Sequence, residues 1–168
     1  HQSLMVDAVR LDNPYESLKV VQDLLEAFPE WINATDRGKN TALGIAASMV
    51  RLDVVDFLVS KGANPTLRNA DGDDALSRAI GVMDNHRIQE AVTNAVLDSG
   101  VFSSEQLSTA LTEAADRKSL GAVRALLSRG ADFSKSFTDG MTSGSYSSAL
   151  RGVQTSEISS SSSYTELK

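Results

Sequence analysis

Gly38-Lys39-Asn40-Thr41 is a segment whose residue types could bind a ligand, because glycine, lysine and a hydroxyl residue also build phosphate-binding loops. The segment lacks the earlier glycine of such a loop, and no Ser or Thr directly follows the lysine. No strand pattern precedes it either. We therefore interpret it as a turn rather than a nucleotide site.

The acidic run from Asn69 to Asp74 reads NADGDD and could suggest calcium binding. The order of oxygen ligands differs from that of an EF-hand loop, and the twelfth position is Ile80, which has no ligating atom. This run is also predicted to be a solvated turn.

Histidine, cysteine and carboxylate side chains offer no further catalytic or metal-binding set. The two histidines, His1 and His86, have no helical i, i+4 partner and no cysteine to join them. We expect His86 to lie in an exposed loop. Trp31 is expected to be buried at the junction of two neighbouring helical units, where it holds them together rather than binding a ligand. The acidic residues Asp53, Asp56, Glu113 and Asp116 are expected on the solvent-exposed faces of helices. The sequence thus predicts no catalytic site, no cofactor and no metal, and hence a chain that is not itself an enzyme.

Composition indicates one helical domain. The chain has 168 residues, of which 41% are hydrophobic and only 5% aromatic, so its core is expected to consist of small and branched aliphatic side chains. The net charge of −6 argues against nucleic acid as a partner, and no apolar run is long enough to span a membrane. Together with the absence of cysteine, this favours an intracellular, cytoplasmic protein.

The elements that would position these residues recur with a period of 33. A shift by 33 takes a turn and the start of a helix onto equivalent residues: Asp36, Lys39, Ala42, Leu43 and Ala46 become Asn69, Gly72, Ala75, Leu76 and Ala79. Periods of this size indicate stacked repeats.

A shift by 68 gives the closer match, with eight identities among nine compared positions. The set Thr41, Ala42, Leu43, Ala46, Ala47, Val55, Val59, Gly62 and Ala63 becomes Thr109, Ala110, Leu111, Ala114, Ala115, Val123, Leu127, Gly130 and Ala131. The two extra residues over twice the period require indels. We place one insertion around Gly81 to Gln89, and a similar one around Leu11 to Ser17.

The segment DRGKNTALGIAASMVRLDVVDFLVSKGAN, residues 36–64, resembles one whole ankyrin repeat. The resemblance extends over residues 3–142, although Gly44 and Ser77 replace the usual histidine, and Ala42 and Ala75 the usual proline. It implies an all-α ankyrin-repeat solenoid of helix-turn-helix units with turn fingers. The domain would cover residues 1–133, with repeats at about 1–33, 34–67, 68–102 and 103–133, of which the first and third carry insertions between their helices.

Several local features are expected from this register. Leu43, Leu76 and Leu111 should be buried at equivalent positions, and Gly62, Gly100 and Gly130 should end second helices in the left-handed conformation. Ser103 and Gln106 form a capping-box pattern before an apolar run, so the first helix of the fourth repeat should begin early.

Residues 134–168 are expected to differ from the repeats. They begin with a partial fifth turn at Asp139-Gly140, and they contain 12 serines in 35 residues, a composition typical of a flexible tail. The run from Ser159 to Ser163 is predicted to be disordered. Phe133, Phe137 and Met141 could cover the last repeat as a cap.

The resemblance implies a protein-interaction module that uses its concave face and turn tips and is monomeric alone. The protein-binding positions carried over are Arg37, Lys39, Asn40, Ser48, Met49, Arg68, Asp71, Asp73, Asp74, Glu105, Asp116 and Arg117. Of these, Met49 is the candidate apolar anchor, and the three aspartates are expected to be exposed turn charges.

An alternative is the substrate-recognition part of a larger enzyme, such as a signalling protein or a bacterial effector acting in host cytoplasm. Because the chain starts within a helical pattern at His1, we expect further sequence upstream. A catalytic domain there would favour this alternative.

Overall fold

The computed structural model describes residues 3–82 and 85–132, and helices dominate this part of the chain. The expected partial fifth turn, the cap at Phe133, Phe137 and Met141, and the serine-rich tail 134–168 lie outside the described residues, as does His1. The helices are α1 (Leu4–Val9), α2 (Pro14–Ala27), α3 (Ala42–Ser48), α4 (Leu52–Ser60), α5 (Ala75–Ile80), α6 (His86–Leu97), α7 (Ser104–Asp116) and α8 (Leu120–Ser128), with a 3-10 helix at Pro29–Asn33.

Consecutive helices pack as hairpins, α1 with α2, α3 with α4, α5 with α6 and α7 with α8. The first helices of successive hairpins contact one another, and so do the second helices, which gives two layers. Each hairpin therefore buries its apolar face against its neighbours, and the prediction of an all-α stack of helix pairs is confirmed.

The core lies between the layers and follows the repeat register. Leu43, Leu76 and Leu111 are 1%, 3% and 0% exposed, as expected. Ala46 and Ala114 are fully buried on the first helices, where small side chains allow neighbouring helices to approach.

Side chains and glycines end the helices where the sequence predicted. Ser103 caps α7, and its hydroxyl and the Gln106 side chain form the expected capping box. Gly62, Gly100 and Gly130 have φ values of 86°, 69° and 83°, so each adopts the left-handed conformation after a second helix.

The extra residues of the first and third hairpins lengthen helices as well as loops. Helix α2 has 14 residues and α6 has 12, against nine in α4 and in α8. Pro14 to Ser17, which belong to the insertion predicted around residues 11–17, form the first turn of α2, capped by the Asn13 side chain.

Two residues are placed differently from expectation. His86 is exposed but is the first residue of α6 rather than part of a loop, because the Asn85 side chain caps the helix there. Trp31 packs against the core while remaining partly exposed, and its ring stacks on Phe28 at a centroid distance of 4.2 Å. Trp31 therefore contacts the core as expected, but it is not fully buried.

Candidate protein-binding surface

Two turn fingers precede first helices, finger A at residues 36–41 and finger B at residues 69–74. In finger A the Asp36 carboxylate accepts hydrogen bonds from the backbone N–H groups of Gly38 and Asn40, at 2.9 and 3.0 Å. In finger B the side-chain oxygen of Asn69 accepts from residues 71 and 73 in the same way, at 3.0 and 2.9 Å. The two residues are 33 apart in sequence and hold their fingers by the same bonds.

The fingers are also bonded to each other. The Ala70 N–H donates to the Gly38 carbonyl at 2.8 Å. The Asn40 side-chain oxygen accepts from the Asn69 amide at 3.0 Å and from the Arg78 guanidinium at 2.6 Å. Asn40, a predicted binding residue, is thus occupied by contacts that fix finger A to finger B and to α5.

The surroundings of Asp36 change the pKa of its carboxyl group. Burial alone would raise its pKa, but hydrogen bonds from the backbone and side chain of Asn40, from Arg10 and from the Gly38 backbone outweigh that effect. Together they hold the pKa of Asp36 below its ordinary value of 3.8. The bonds that fix finger A therefore favour the ionised form of this carboxylate.

The tips of the fingers are exposed and charged. Arg37 and Lys39 project from finger A, and Lys39 has a φ of 58°. Asp71 is exposed on finger B, Asp73 is partly exposed, and Arg68 is exposed just before that finger. A basic tip and an acidic tip therefore belong to neighbouring fingers that are bonded together.

Asp74 is not an exposed turn charge, and that expectation was wrong. Its carboxylate accepts the Ser77 N–H at 2.8 Å and caps α5, and the residue is partly buried. Replacing such a cap costs about 0.5–2 kcal/mol of stability. Reversing its charge would therefore affect folding as well as any binding.

Two further predicted residues lie at the end of α3. The Ser48 hydroxyl donates to the Ile45 carbonyl at 2.8 Å and is partly buried. Met49 follows as the C-terminal cap residue and is 39% exposed, which makes it one of the large apolar side chains open to solvent.

Asp116 and Arg117 lie at the corresponding end of α7, and both are exposed. The Arg117 guanidinium pairs with Glu113 one turn earlier, at 3.1 Å. Arg117 is therefore already partnered within its helix.

Arg68, Asp74 and Glu105, which the sequence predicted separately, line one groove of about 200 Å³ between α5 and α7. The sequence prediction missed other residues of its lining, Leu76, Ser77, Phe102, Thr109, Ala110 and Glu113. A signal was available, because the early start of α7 at the Ser103 cap predicts that the fourth hairpin has no finger. Without a finger, the space beside α5 is left open.

A larger depression, of about 420 Å³, lies on the layer of second helices. None of the predicted binding residues lines it. Its walls come from α2, the 3-10 helix and α4, through Gln22, Leu25, Glu26, Pro29, Ile32, Phe57 and Lys61.

Within residues 3–82 and 85–132, no group of three or more histidine, cysteine, aspartate or glutamate side chains could hold a metal ion. Of the helices described there, none is both long and apolar enough to cross a bilayer.

Part of the chain matches a known protein family. The model of the ankyrin repeat matches residues 38–70, a segment that runs from within finger A through α3 and α4 to the start of finger B. No curated protein matches the chain.

Proposed function

Since residues 38–70 are an ankyrin repeat within an all-α stack, we propose that this chain binds a protein partner through its fingers and first helices. Ankyrin repeats are typically interaction modules without catalytic activity. The observation that carries the proposal is the pair of fingers, whose bases are fixed by hydrogen bonds while their charged tips remain free in solvent. A surface ordered before binding loses less conformational entropy when a partner docks.

The proposed contact residues are the exposed ones among those that the sequence predicted. Two others, Asn40 and Asp74, have supporting roles in this proposal, because their side chains hold finger A and the start of α5. Ser48 and Asp73 are partly exposed, and they lie beside residues that we propose as direct contacts. The direct contacts proposed are Arg37, Lys39, Met49, Arg68, Asp71, Glu105, Asp116 and Arg117.

The charges on the two fingers favour a protein partner whose surface carries both positive and negative groups. Arg37 and Lys39 lie on one finger and Asp71 and Asp73 on the next, so a complementary surface would be oriented as it approaches. The net charge of −6 disfavours a polyanion such as nucleic acid. Affinity is expected to come from a few anchors, with Met49 the best apolar candidate.

The test is site-specific photo-crosslinking in extracts of the source cells. A benzoylphenylalanine is placed at Met49 or at Asp71 on the proposed surface, and at Asp56 as a control. Asp56 is exposed on α4, in the other layer. We expect the same protein to be crosslinked from both surface positions and not from the control. Equal crosslinking from Asp56, or none from the surface positions, would contradict the proposal.

A charge-reversal pair then measures how much the acidic tip contributes to binding. Asp71→Lys with Asp73→Lys should weaken binding of the crosslinked partner by about tenfold at low salt and by less at high salt. The melting temperature should stay nearly constant, because exposed charges contribute little to stability. Glu30→Lys with Asp56→Lys makes the same change of charge on other exposed residues and should leave affinity unchanged.

A further inference from the structure

The groove between α5 and α7 exists because the fourth hairpin has no finger. Helix α7 begins at Ser104 and has 13 residues, whereas α3 has seven and α5 six. Its additional N-terminal turns lie across from the end of finger B and the start of α5, and the groove is the space between them.

The groove is rich in hydrogen-bond acceptors. Its lining includes the carboxylates of Asp74, Glu105 and Glu113 and one cation, Arg68. Glu113 accepts from the Ser77 hydroxyl at 3.2 Å and pairs with Arg117, while Asp74 caps α5 with one oxygen.

Glu105 is exposed, and its carboxylate has no hydrogen bond or ion pair with any residue in the described part of the chain. A carboxylate offers about four acceptor positions, so all three groups retain capacity for donors from a ligand. Because Arg117 neutralises Glu113, the groove is left with two negative groups, Asp74 and Glu105, against one positive group, Arg68, and this balance favours a cationic ligand.

The floor of the groove is apolar. Leu76 and Ala110 are 3% and 6% exposed, and Phe102 is partly buried beside them. At about 200 Å³ the cavity is smaller than the roughly 300–1,000 Å³ of most small-molecule pockets. Its size suits one long side chain whose methylene groups contact the floor while its charged end reaches the carboxylates.

We propose that this groove binds an arginine side chain of the protein partner, flanked by an acidic residue that pairs with Arg68. The inference rests on the proposed function, because it specifies which partner segment the surface recognises. Arginine fits better than lysine, since its planar fork donates to several carboxylates at once and its face can stack on the ring of Phe102. Arg68 has no ion pair among the described residues and lies at the groove, open to a partner carboxylate.

The experiment uses the full chain labelled with ¹⁵N and three capped pentapeptides that differ at one position. The arginine probe is acetyl-Gly-Ala-Arg-Asp-Gly-amide, and its relatives carry citrulline or lysine instead of arginine. Citrulline has nearly the shape of arginine but no charge. Dissociation constants are taken from the shifts of the backbone amide signals of Ser77, Gln106 and Thr109, which lie along the groove.

We expect the citrulline peptide to bind at least about tenfold more weakly than the arginine peptide, because charged hydrogen bonds are lost. Glu105→Gln should weaken the arginine peptide about three- to tenfold and leave the citrulline peptide unaffected. Glu30→Gln removes an exposed carboxylate from the 3-10 helix and should change neither constant. Phe102→Leu should abolish the preference for arginine over lysine.

Equal affinity for arginine and citrulline, or shifts confined to residues outside the groove, would overturn the inference. Equal affinity for arginine and lysine in the unmodified chain would overturn the choice of arginine. The Glu105 and citrulline comparisons need no change to the core, so they remain decisive even if Phe102→Leu impairs folding. If a partner is crosslinked from Met49 but the arginine peptide does not bind, only this inference is wrong. If the peptide binds but no partner is crosslinked, the proposed function is wrong, while the affinity of the groove for arginine stands.

Discussion

Two neighbouring junctions in the stack are held together in different ways. Between the second and third hairpins, finger A and finger B are joined on the side of the first helices, where the Gly38 carbonyl accepts from Ala70. Between the third and fourth hairpins there is no second finger to join. There the second helices approach closely instead, and a Cβ added at Gly121 would overlap the His86 carbonyl oxygen.

At this second junction, buried polar side chains form hydrogen bonds, whereas the first junction has bonds between two fingers. The Gln89 side chain is 4% exposed, donates to the carbonyls of Ile80 and Val82, and accepts the Gly121 N–H at 3.1 Å. The Ser119 hydroxyl also donates to Ile80, at 2.9 Å. Apart from the bond from Ser77 to Glu113, the buried side-chain hydrogen bonds across this junction lie near the starts of the second helices, and the groove on the first-helix side remains open. One stack can therefore present an edge closed by hydrogen bonds and an open groove side by side.

The largest effect is expected from the core that both junctions share. Leu43→Ala and Leu111→Ala should each lower the free energy of unfolding by about 2–5 kcal/mol, because both side chains fill sites with almost no exposure. Urea denaturation of the two variants measures this. A loss below about 0.5 kcal/mol for Leu43, the range of ordinary surface substitutions, would show that the repeat register is wrong.

Gly121→Ala should distinguish the second junction. The added methyl group would meet backbone atoms of α6, so the helices must separate, and we expect a loss of about 1–3 kcal/mol or more. Gly81→Ala is the matched control, since its nearest neighbour at 2.9 Å is the Arg117 guanidinium, the mobile end of a long side chain. Thermal unfolding of both variants should show a large decrease for Gly121 and little change for Gly81. A similar change in both would refute the close approach of α6 and α8.

The sequence predicted the helices and core well because the same residue types recur at fixed offsets. Leu43, Leu76 and Leu111 occupy equivalent positions, and the Ser103 capping box depends only on residues three apart. Such features are local or periodic, so they can be read without coordinates. The repeat boundaries proposed at 33/34, 67/68 and 102/103 stay predictions.

Contacts between repeats were harder to predict. Nothing in the residue type of Gln89 indicates that its amide is buried and bonded to α5 and α8, since glutamine is usually exposed. Asp74 was misplaced for a related reason, because an acidic run suggests solvent while the last member of the run caps a helix. The groove likewise depends on a missing finger, and its walls come from residues more than 30 positions apart, such as Asp74 and Glu113.

The smallest effect expected concerns the finger junction and its dependence on pH. The pKa of Asp36 is lower in the folded chain than in the unfolded chain, so the ionised carboxylate stabilises the fold above pH 3.8. This contribution should decrease as the pH falls from about 5 and vanish below the folded pKa of Asp36, because protonation weakens the bonds from Arg10, Gly38 and Asn40.

Asp36→Asn isolates this contribution, since finger B already uses asparagine at the equivalent position, Asn69, and accepts the same two backbone bonds. The variant should be less stable than the unmodified chain by about 1 kcal/mol at most at pH 7, because the lost ion pair involves Arg10, which is 44% exposed. The difference should shrink as the pH falls below 3.8 and approach zero below the folded pKa of Asp36, as measured by urea denaturation at several pH values. Asp56→Asn, on the exposed face of α4, should show no such trend. A constant difference between Asp36→Asn and the unmodified chain across this range would mean that the charge of Asp36 does not hold the finger, and that its backbone hydrogen bonds alone suffice, as those of Asn69 do in finger B.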